Sequence, residues 1–311
     1  MEPGDAGSAY GLPSEARAAT TPLGRAFPGR ALPYLLIAPV AIYLVVIVVG
    51  PELIQIFYSF LTREQGVYAY HVVLTPTLAS YLEIFQDSEL RQSLLWTIAS
   101  SLVIAIGTVL LGLPVAHYLA RGTGRGKLFV EMALLLPLFG DIFIGYALLY
   151  AFAPQGIVNW VLVGLGLIQQ PLHLIGNPAA AGFAMALPGL SVLLMRSALV
   201  RVDTVYEEAA QMLGANPLRA WWSTTFALAR VGILGAFLLT FAGATGAYTL
   251  PLIIAGGDNP WFGQSLWRVY QFNNLPLASA MSIMMVLLTG GIIYLNIRIS
   301  GRGSQARRYV G

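Results

Sequence analysis

Cysteine is absent from this 311-residue chain, and charged residues make up only 10% of it. Without cysteine, the chain can form neither a disulfide nor a thiolate metal site. A soluble domain carries roughly a quarter of its residues as Asp, Glu, Lys and Arg. The shortage of charge, with 57% hydrophobic residues and a mean hydropathy of +0.72, therefore indicates an integral membrane protein.

Lysine is almost absent as well, since Lys127 stands alone beside sixteen arginines. A phosphate-binding loop requires G-x-x-x-x-G-K-[ST], whereas Lys127 precedes Leu128 and lacks the upstream glycine. This excludes ATP hydrolysis by that route. The arginines lie scattered at the ends of apolar stretches rather than in one patch, so no nucleic-acid surface is predicted.

Histidine is scarce, and the three residues His71, His117 and His173 are far apart in the sequence. A metal site needs ligands that converge, and no serine–histidine–acid constellation stands out. We therefore predict a chain that is not an enzyme and that binds no metal or cofactor.

Long apolar stretches are what the chain does contain. A helix needs about 20 apolar residues to cross the hydrocarbon core, and six stretches qualify: about 32–60, 93–120, 128–152, 179–200, 231–255 and 277–299. The prediction is an all-α membrane protein with six transmembrane helices in a domain over 31–300. Residues 1–30 are predicted as a disordered cytoplasmic tail and 301–311 as a second cytoplasmic tail.

The first stretch has a rival interpretation as a signal peptide. Gly50-Pro51-Glu52 follows it, rather than a small-x-small cleavage site, so we interpret it as an uncleaved first span.

Basic residues divide unequally between the two sides of the predicted bundle. Fourteen lie in the N-terminal tail, the second-to-third loop, the fourth-to-fifth loop and the C-terminus, whereas the other side has only Arg63, Arg91 and Arg268. Because cytoplasmic loops carry the excess of Lys and Arg, both termini and the fourth-to-fifth loop are predicted to face the cytoplasm.

The three loops on the other side differ in character. The first, about 61–92, is acidic and contains a predicted short interfacial helix, LASYLEIF. The second, about 153–178, has no charged residue and is predicted to hold a re-entrant or interfacial helix. The third is polar and aromatic, with Trp261, Trp267 and Tyr270 as membrane-surface anchors or, alternatively, ligand contacts.

The fourth-to-fifth loop, residues 202–230, is the longest polar-rich run of the chain and predicts two short helices. Thr204 and Glu207 form a predicted capping box, and Asp203 offers a second cap. Glu207 and Glu208 lie in the first turn, where carboxylates favour the positive end of a helix. Gly214 is predicted to end this helix.

Asn216 and Pro217 are predicted to begin the second short helix as its cap and first residue. On the first helix, Val205, Ala209 and Met212 share one face. The loop therefore predicts a small amphipathic projection held at the end of a span.

A few polar or helix-bending residues lie within the predicted spans. Asp141 is costly in the membrane unless it faces a cavity or a partner. It is interpreted either as a pathway residue for a cationic solute or as the cap of a helix that restarts after Pro137 and Gly140. Pro188 is predicted to bend the fourth span. Tyr146, Pro188 and Tyr248 are further pathway candidates.

Gly232, Gly235, Gly243 and Gly246 give the fifth span a small-residue face. We predict close helix packing there, with gating by sliding as a second possibility.

Glu208-Ala209-Ala210, followed after three residues by Gly214, resembles the E-A-A-x-x-x-G loop of permease subunits of ATP-binding-cassette (ABC) importers. The resemblance implies the type I importer permease fold, with this loop as a cytoplasmic coupling helix that docks on an ATPase subunit. We call residues 202–230 the coupling loop. The residues implied in coupling are Asp203, Glu207, Glu208, Ala209, Ala210, Met212 and Gly214.

Three further stretches resemble the spermidine/putrescine branch of these permeases: SFLTR (59–63), LGLPVAHYLAR (111–121) and GAYTLPLIIAGG (246–257). One departure is that Thr224, Phe226 and Ala227 stand where the family usually has an apolar residue, leucine and proline. A less sharply bent start of the fifth span is therefore expected.

The resemblance implies several partners: two ATPase subunits that bind ATP and Mg, a second permease chain that is related but distinct, and an extracytoplasmic binding protein. A polyamine or similar cationic amine is the predicted cargo. Sugar or glycerol phosphate, iron and aminophosphonate are the alternatives, and a stand-alone secondary transporter is the rival from another class.

Overall fold

The computed structural model describes residues 32–65, 70–124, 126–186 and 189–305. The predicted tail 1–30 and the predicted kink residue Pro188 lie outside these ranges. Six stretches of the described chain are helical and apolar enough to cross a membrane, which confirms the predicted number. We call them spans 1 to 6: Ile37–Ser59, Ser88–Arg121, Asp141–Gly164, Pro178–Val200, Pro217–Thr245 and Leu275–Tyr294.

The chain divides into two compact units at Ile54. The first contains α1 (Leu32–Leu44), a π-helical turn (Val45–Val49) and the beginning of α2 (Gly50–Ser59). Large apolar side chains such as Ile42 and Val46 are exposed along it. A helix that is apolar all round is typical of a membrane span.

The second unit begins with the end of α2 and an antiparallel hairpin that the sequence analysis did not predict. Its strands are β1 (Leu61–Gln65) and β2 (Tyr70–Pro76), and the short helix α3 (Ala79–Gln86) follows. Helix α3 confirms the helix predicted from LASYLEIF. The hairpin is fixed to it by Arg63, whose Nη2 lies 2.5 Å from Glu83 Oε2.

Span 2 is one long helix, α4 (Ser88–Arg121). Asp87 caps it, because its Oδ1 accepts hydrogen bonds from the N–H groups of Glu89 and Leu90 at 2.8 and 3.1 Å. At 34 residues the helix is roughly 50 Å long. It therefore extends beyond the hydrocarbon core at its ends.

The predicted third span, 128–152, is not one continuous helix. It consists of α5 (Gly126–Leu135), a 3-10 turn (Leu136–Phe139) and α6 (Asp141–Phe152). The break comes at Gly140, whose φ of 94° lies in the region that favours glycine. Helix α7 (Ile157–Gly164) then occupies the loop for which a re-entrant or interfacial helix was predicted.

Nine elements complete the described chain. They are α8 (Pro178–Ala186), α9 (Leu190–Val200), α10 (Val205–Met212), α11 (Pro217–Trp221), a π-helical turn (Trp222–Phe226), α12 (Ala227–Thr245), α13 (Thr249–Ala255), α14 (Phe262–Gln271) and α15 (Leu275–Gln305). Helix α15 continues beyond span 6 into the predicted tail 301–311, as far as Gln305.

Helices α4, α9 and α12 form the centre of the second unit. Their buried side chains near the coupling loop make one apolar cluster: Leu113, Ala116, Leu119, Leu134, Val192, Met195, Leu199, Val202, Ala229, Ile233 and Ala236. The cluster reaches Val202, the first residue of the coupling loop. The loop is thus continuous with the core of the bundle.

Gly232 is the point of closest approach between α9 and α12. A Cβ at Gly232 would clash with the Cβ of Ala198, whereas nothing lies within 4 Å of a Cβ built at Gly235 or Gly243. The small-residue face predicted for the fifth span is therefore a packing face at Gly232 and open at Gly235 and Gly243.

Candidate functional site

The coupling loop folds as two short helices, α10 and α11, joined by a tight turn. Gly214 has a φ of 91°, as predicted for the residue that ends the first helix. The N–H of Ala215 donates to the carbonyl of Ala210 at 3.1 Å, which closes a Schellman-type turn. Asn216 Oδ1 accepts the N–H of Arg219 at 2.7 Å, so Asn216 caps α11 with Pro217 at its first position.

The predicted Thr204–Glu207 capping box is wrong. Thr204 makes no side-chain cap hydrogen bond, and Asp203 Oδ1 instead accepts the N–H of Val205 at 3.1 Å. Glu207 does not reach back to the start of the helix, because its Oε1 accepts a hydrogen bond from the hydroxyl of Thr225. Glu207 therefore pairs with Thr225, 18 residues away, rather than with the backbone at the start of its own helix.

The two adjacent glutamates of α10 face different surroundings. The side chain of Glu207 is only 19% exposed, and its Oε1 lies 4.0 Å from Nη2 of Arg121 at the end of α4. Glu208 is exposed, as are Asp203 and Ala209, whereas Ala210 is half-buried. Of the two carboxylates, only that of Glu208 is presented outward.

An apolar face of the coupling loop is exposed. Val205, Ala209 and Met212 are all exposed, which confirms the predicted shared face. Met212 is 83% exposed and Leu213 is 90% exposed. Large side chains this open on a polar loop are typical of an interaction surface.

The coupling loop also contacts span 2 through Trp221. Trp221 Nε1 donates a hydrogen bond to Nδ1 of His117 at 3.1 Å, and the two rings meet edge to face. The following residues, Trp222–Phe226, form a π-helical turn at the position where the sequence departs from the family's leucine and proline. The start of span 5 is thus a wide helical turn rather than a proline bend.

A cavity of about 330 Å³ lies farther along the bundle, and Asp141 is one of its lining residues. Helices α4, α9 and α12 contribute Thr108, Ser191 and Thr240 to the same wall. Thr108 is 13 residues from the end of α4 at Arg121, or roughly 20 Å along the helix axis. The cavity therefore lies alongside the middle part of α4.

Asp141 begins α6 immediately after the break at Gly140. A carboxylate in the first turn of a helix interacts favourably with the helix dipole, so this part of the capping interpretation fits. Within the described residues, its side chain makes no hydrogen bond or ion pair, and it is exposed toward the cavity region. The predicted capping role is nevertheless wrong, because Gly140 occupies the N-cap position and α6 has no side-chain cap hydrogen bond. The role of Asp141 in a pathway stays a prediction.

The three hydroxyls in the cavity wall were not predicted. Thr108 donates to the carbonyl of Ala186 at 3.1 Å, and Thr240 donates to that of Ala236 at 3.1 Å. Ser191 Oγ lies 2.6 Å from Thr240 Oγ1. The available signal was a hydroxyl residue within each of three apolar spans, but only the fold shows that these three converge.

Tyr146 and Tyr248 are not among the lining residues of this cavity. The ring of Tyr146 stacks on that of Tyr150 with centroids 6.5 Å apart, and the ring of Tyr248 contacts Trp267 at 5.7 Å. Pro188 lies outside the described residues. Of the three predicted pathway residues that the structure describes, Asp141 alone lines the cavity.

A second cavity, of about 460 Å³, is mainly apolar and lies against the loop predicted at about 153–178, with His173 and Asn177 in its lining. The buried side chain of Asn159 holds this loop in place. Its Nδ2 donates to the carbonyls of Ala153 and Leu172, and its Oδ1 accepts the N–H of Leu172. The loop is therefore ordered by three hydrogen bonds to one side chain.

Known proteins resemble this chain in both sequence and fold. It is 27% identical over 264 residues to the spermidine/putrescine transport system permease protein PotB of Escherichia coli, covering 83% of this chain and 94% of that protein. It is 31% identical over 208 residues to the molybdenum transport system permease protein ModB of Mycobacterium bovis, covering 65% of this chain and 77% of that protein.

A solved structure shares the fold at low sequence identity. It is a chain of a bacterial ABC transporter involved in the import of the acidic polysaccharide alginate, with a TM-score of 0.65 and 16% identity. The match covers 88% of this chain and 96% of that chain. The likeness confirms the predicted type I importer permease fold.

Residues 108–300, more than half of the chain, match the family described as "Binding-protein-dependent transport system inner membrane component". This segment contains both the coupling loop and every residue that lines the Asp141 cavity. The six spans fit a multi-pass protein of the inner membrane. The chain therefore belongs to this family, the permease subunits of ABC importers, and is a non-catalytic membrane component of such a system.

Proposed function

We propose that this permease imports a polyamine or similar small cationic amine, driven by two separate ATPase subunits, one of which docks on the coupling loop. ATP and Mg would bind to those subunits and not to this chain. A second, distinct permease chain and an extracytoplasmic binding protein complete the proposed complex. The exposed face formed by Val205, Ala209 and Met212 supports the docking, because free apolar surface of this kind is stabilised by a partner.

The orientation follows from the distribution of charge. The ends that carry fourteen of the seventeen basic residues are proposed to face the cytoplasm. The coupling loop then lies on the side where ATP is present. Both termini lie on that side too.

The proposed mechanism is alternation between two states. Closure of the ATPase dimer on ATP would move the docked helix α10, and the spans joined to it would change from inward to outward opening. A ligand shifts such an equilibrium only by binding the two states with different affinity. The ATPase subunits would supply that difference at the coupling loop.

The choice of an amine rests on one observation, which is that the cavity wall offers acceptors. Thr108 and Thr240 can each donate their single hydroxyl hydrogen to a backbone carbonyl. Ser191 and Thr240 share one further hydrogen bond, in which either hydroxyl can be the donor. Three sets of oxygen lone pairs and the Asp141 carboxylate remain, and these suit a cargo rich in N–H donors and positive charge.

An oxyanion is the contrasting cargo, since one relative is a molybdenum transport permease. An oxyanion presents acceptors only and carries negative charge. Opposite the Asp141 carboxylate it would be repelled, and the three hydroxyls would offer it at most one free donor. The wall therefore favours the amine.

The test is uptake by the complete complex reconstituted with its ATPase, partner permease and binding protein in liposomes. We expect ATP-dependent uptake of labelled putrescine, with molybdate and neutral sugars failing to compete. Asp141→Asn should slow maximal uptake about tenfold, equivalent to about 1.4 kcal/mol, and Asp141→Glu should restore part of it. Because the binding protein captures the cargo, its affinity for putrescine should not change.

Two results would contradict the proposal. Competition by molybdate or a sugar without competition by amines would overturn the cargo while leaving the importer intact. Uptake by this chain alone, without ATP or an associated ATPase, would instead indicate a secondary transporter.

A further inference from the structure

We infer that Glu207 is a positioning residue that fixes the coupling helix α10 to spans 2 and 5 of its own chain, and does not itself contact the ATPase. This inference rests on the proposed coupling role of the loop. It assigns different tasks to two neighbouring carboxylates that the sequence pattern treats alike. Glu208 faces outward, and Glu207 faces the bundle.

The first observation is the burial of the groups around Glu207. Its side chain is 19% exposed, and that of Arg121 is 24% exposed. Thr225, which donates to Glu207 Oε1, is fully buried. A carboxylate enclosed in this way has little surface left for a protein partner.

The second observation is that three segments of the chain meet at this point. Arg121 is the last residue of α4, Val202 follows the end of α9, and Thr225 lies in the π-helical turn at the start of span 5. Arg121 Nη2 donates to the carbonyl of Val202 at 2.6 Å and lies 4.0 Å from Glu207 Oε1. Glu207 thus joins the coupling helix to spans 2 and 5, and Arg121 connects the same point to the residue that follows span 4.

The third observation is a parallel contact one helical turn away. His117 and Arg121 lie four residues apart on α4 and therefore on one face. His117 accepts the indole N–H of Trp221 at 3.1 Å, so the same face of span 2 contacts both halves of the coupling loop. Movement of the loop is thereby carried directly to span 2.

Arg121 and Glu207 do not form every hydrogen bond that their side chains could form with each other in this arrangement. At 4.0 Å their atoms are too far apart for a hydrogen bond, and Arg121 Nε is buried without a hydrogen-bond partner. A small displacement of α10 would bring the carboxylate within hydrogen-bonding distance. The contact can therefore differ between two states of the permease, as a coupling element must.

The test uses the complete reconstituted complex with three readouts: ATPase association, ATP hydrolysis stimulated by the loaded binding protein, and putrescine taken up per ATP hydrolysed. Glu207→Gln keeps an acceptor for Thr225 but removes the charge opposite Arg121. We expect normal association, with uptake per ATP reduced about fivefold or more, the usual range of a coupling free energy. Glu208→Gln should instead weaken association.

A second pair of variants guards against loss of folding. Thr225→Val removes the donor to Glu207 at nearly constant volume and should reproduce the uncoupling, whereas Thr225→Ser keeps the hydroxyl and should preserve coupling. Combining Glu207→Gln with Arg121→Gln should cost no more than the worse single change, because the two groups act as a pair.

Several outcomes would overturn the inference. If Glu207→Gln abolished ATPase association, Glu207 would be a docking residue. If Glu207→Gln and Thr225→Val both left uptake per ATP unchanged, the contact would have no role in coupling. Failure of the unaltered chain to bind any ATPase would instead refute the proposed function itself.

Discussion

Gly214 combines ample space with a demanding backbone. Its φ is 91°, and nothing lies within 4 Å of a Cβ built on it. A side chain there would meet no neighbour but would strain the main chain. Conformation, rather than packing, therefore requires glycine at this turn.

We expect Gly214→Val to misdirect α10 relative to α11 at a cost of about 1–2 kcal/mol, while Gly214→Asn is milder because Asn adopts positive φ more readily. ATP hydrolysis stimulated by the loaded binding protein should fall for Val and largely persist for Asn. Equal effects of the two substitutions would contradict a conformational origin.

Local chemistry made several residues of the site predictable. The roles of Gly214, Asn216 and Pro217 depend on neighbours within a few positions, so the sequence pattern sufficed for them. The capping box failed because Glu207 finds Thr225 and Arg121, which lie 18 and 86 positions away. Pairings over such separations depend on how the spans pack, and no local pattern encodes them.

Span 5 shows how one helix face can serve two purposes. Gly232 packs against Ala198 of α9, whereas Gly235 faces open space and Gly243 lines the Asp141 cavity. The two neighbouring glycines Gly232 and Gly235 therefore form a matched pair for testing the packing.

We expect Gly232→Ala to destabilise the purified protein by about 1–3 kcal/mol, because a methyl group is forced into a filled contact. Gly235→Ala should be neutral or slightly stabilising, since alanine favours helix and meets no neighbour. Thermal unfolding in detergent, followed by tryptophan fluorescence, measures both. An equal loss of stability in the two variants would rule out the α9–α12 contact as the cause.

The elements themselves were predictable to different degrees. Long apolar stretches gave the six spans, because crossing the membrane imposes a minimum length. The hairpin Leu61–Pro76 was missed, since a two-stranded ribbon beside a helix leaves only a short alternating pattern. The break at Gly140 was expected only in one of the two interpretations of Asp141, that of a helix restarting after Pro137 and Gly140, because apolarity alone does not distinguish one helix from two.

At the scale of the molecule, the unequal distribution of arginine predicts orientation. The chain contains no cysteine, so a single introduced thiol reports its own side of the membrane. Met212 of the coupling loop and Asp258 near the opposite end are both highly exposed positions. Because both positions are similarly exposed, a cysteine introduced at either one should be equally accessible to a thiol reagent on its own side of the membrane.

In intact cells expressing the chain alone, a membrane-impermeant maleimide should label Asp258→Cys and not Met212→Cys. Permeabilising the inner membrane should make both reactive. Labelling of Met212→Cys from outside would reverse the proposed topology and separate the coupling loop from ATP.

The hydrogen bond between Trp221 and His117 has a consequence of its own. The indole offers only a donor, so the imidazole nitrogen that faces it must bear a lone pair. This selects one tautomer of His117, with its hydrogen on Nε2. Replacing His117 with an apolar residue would remove this acceptor and leave the indole N–H of Trp221 without its partner at the junction of loop and bundle.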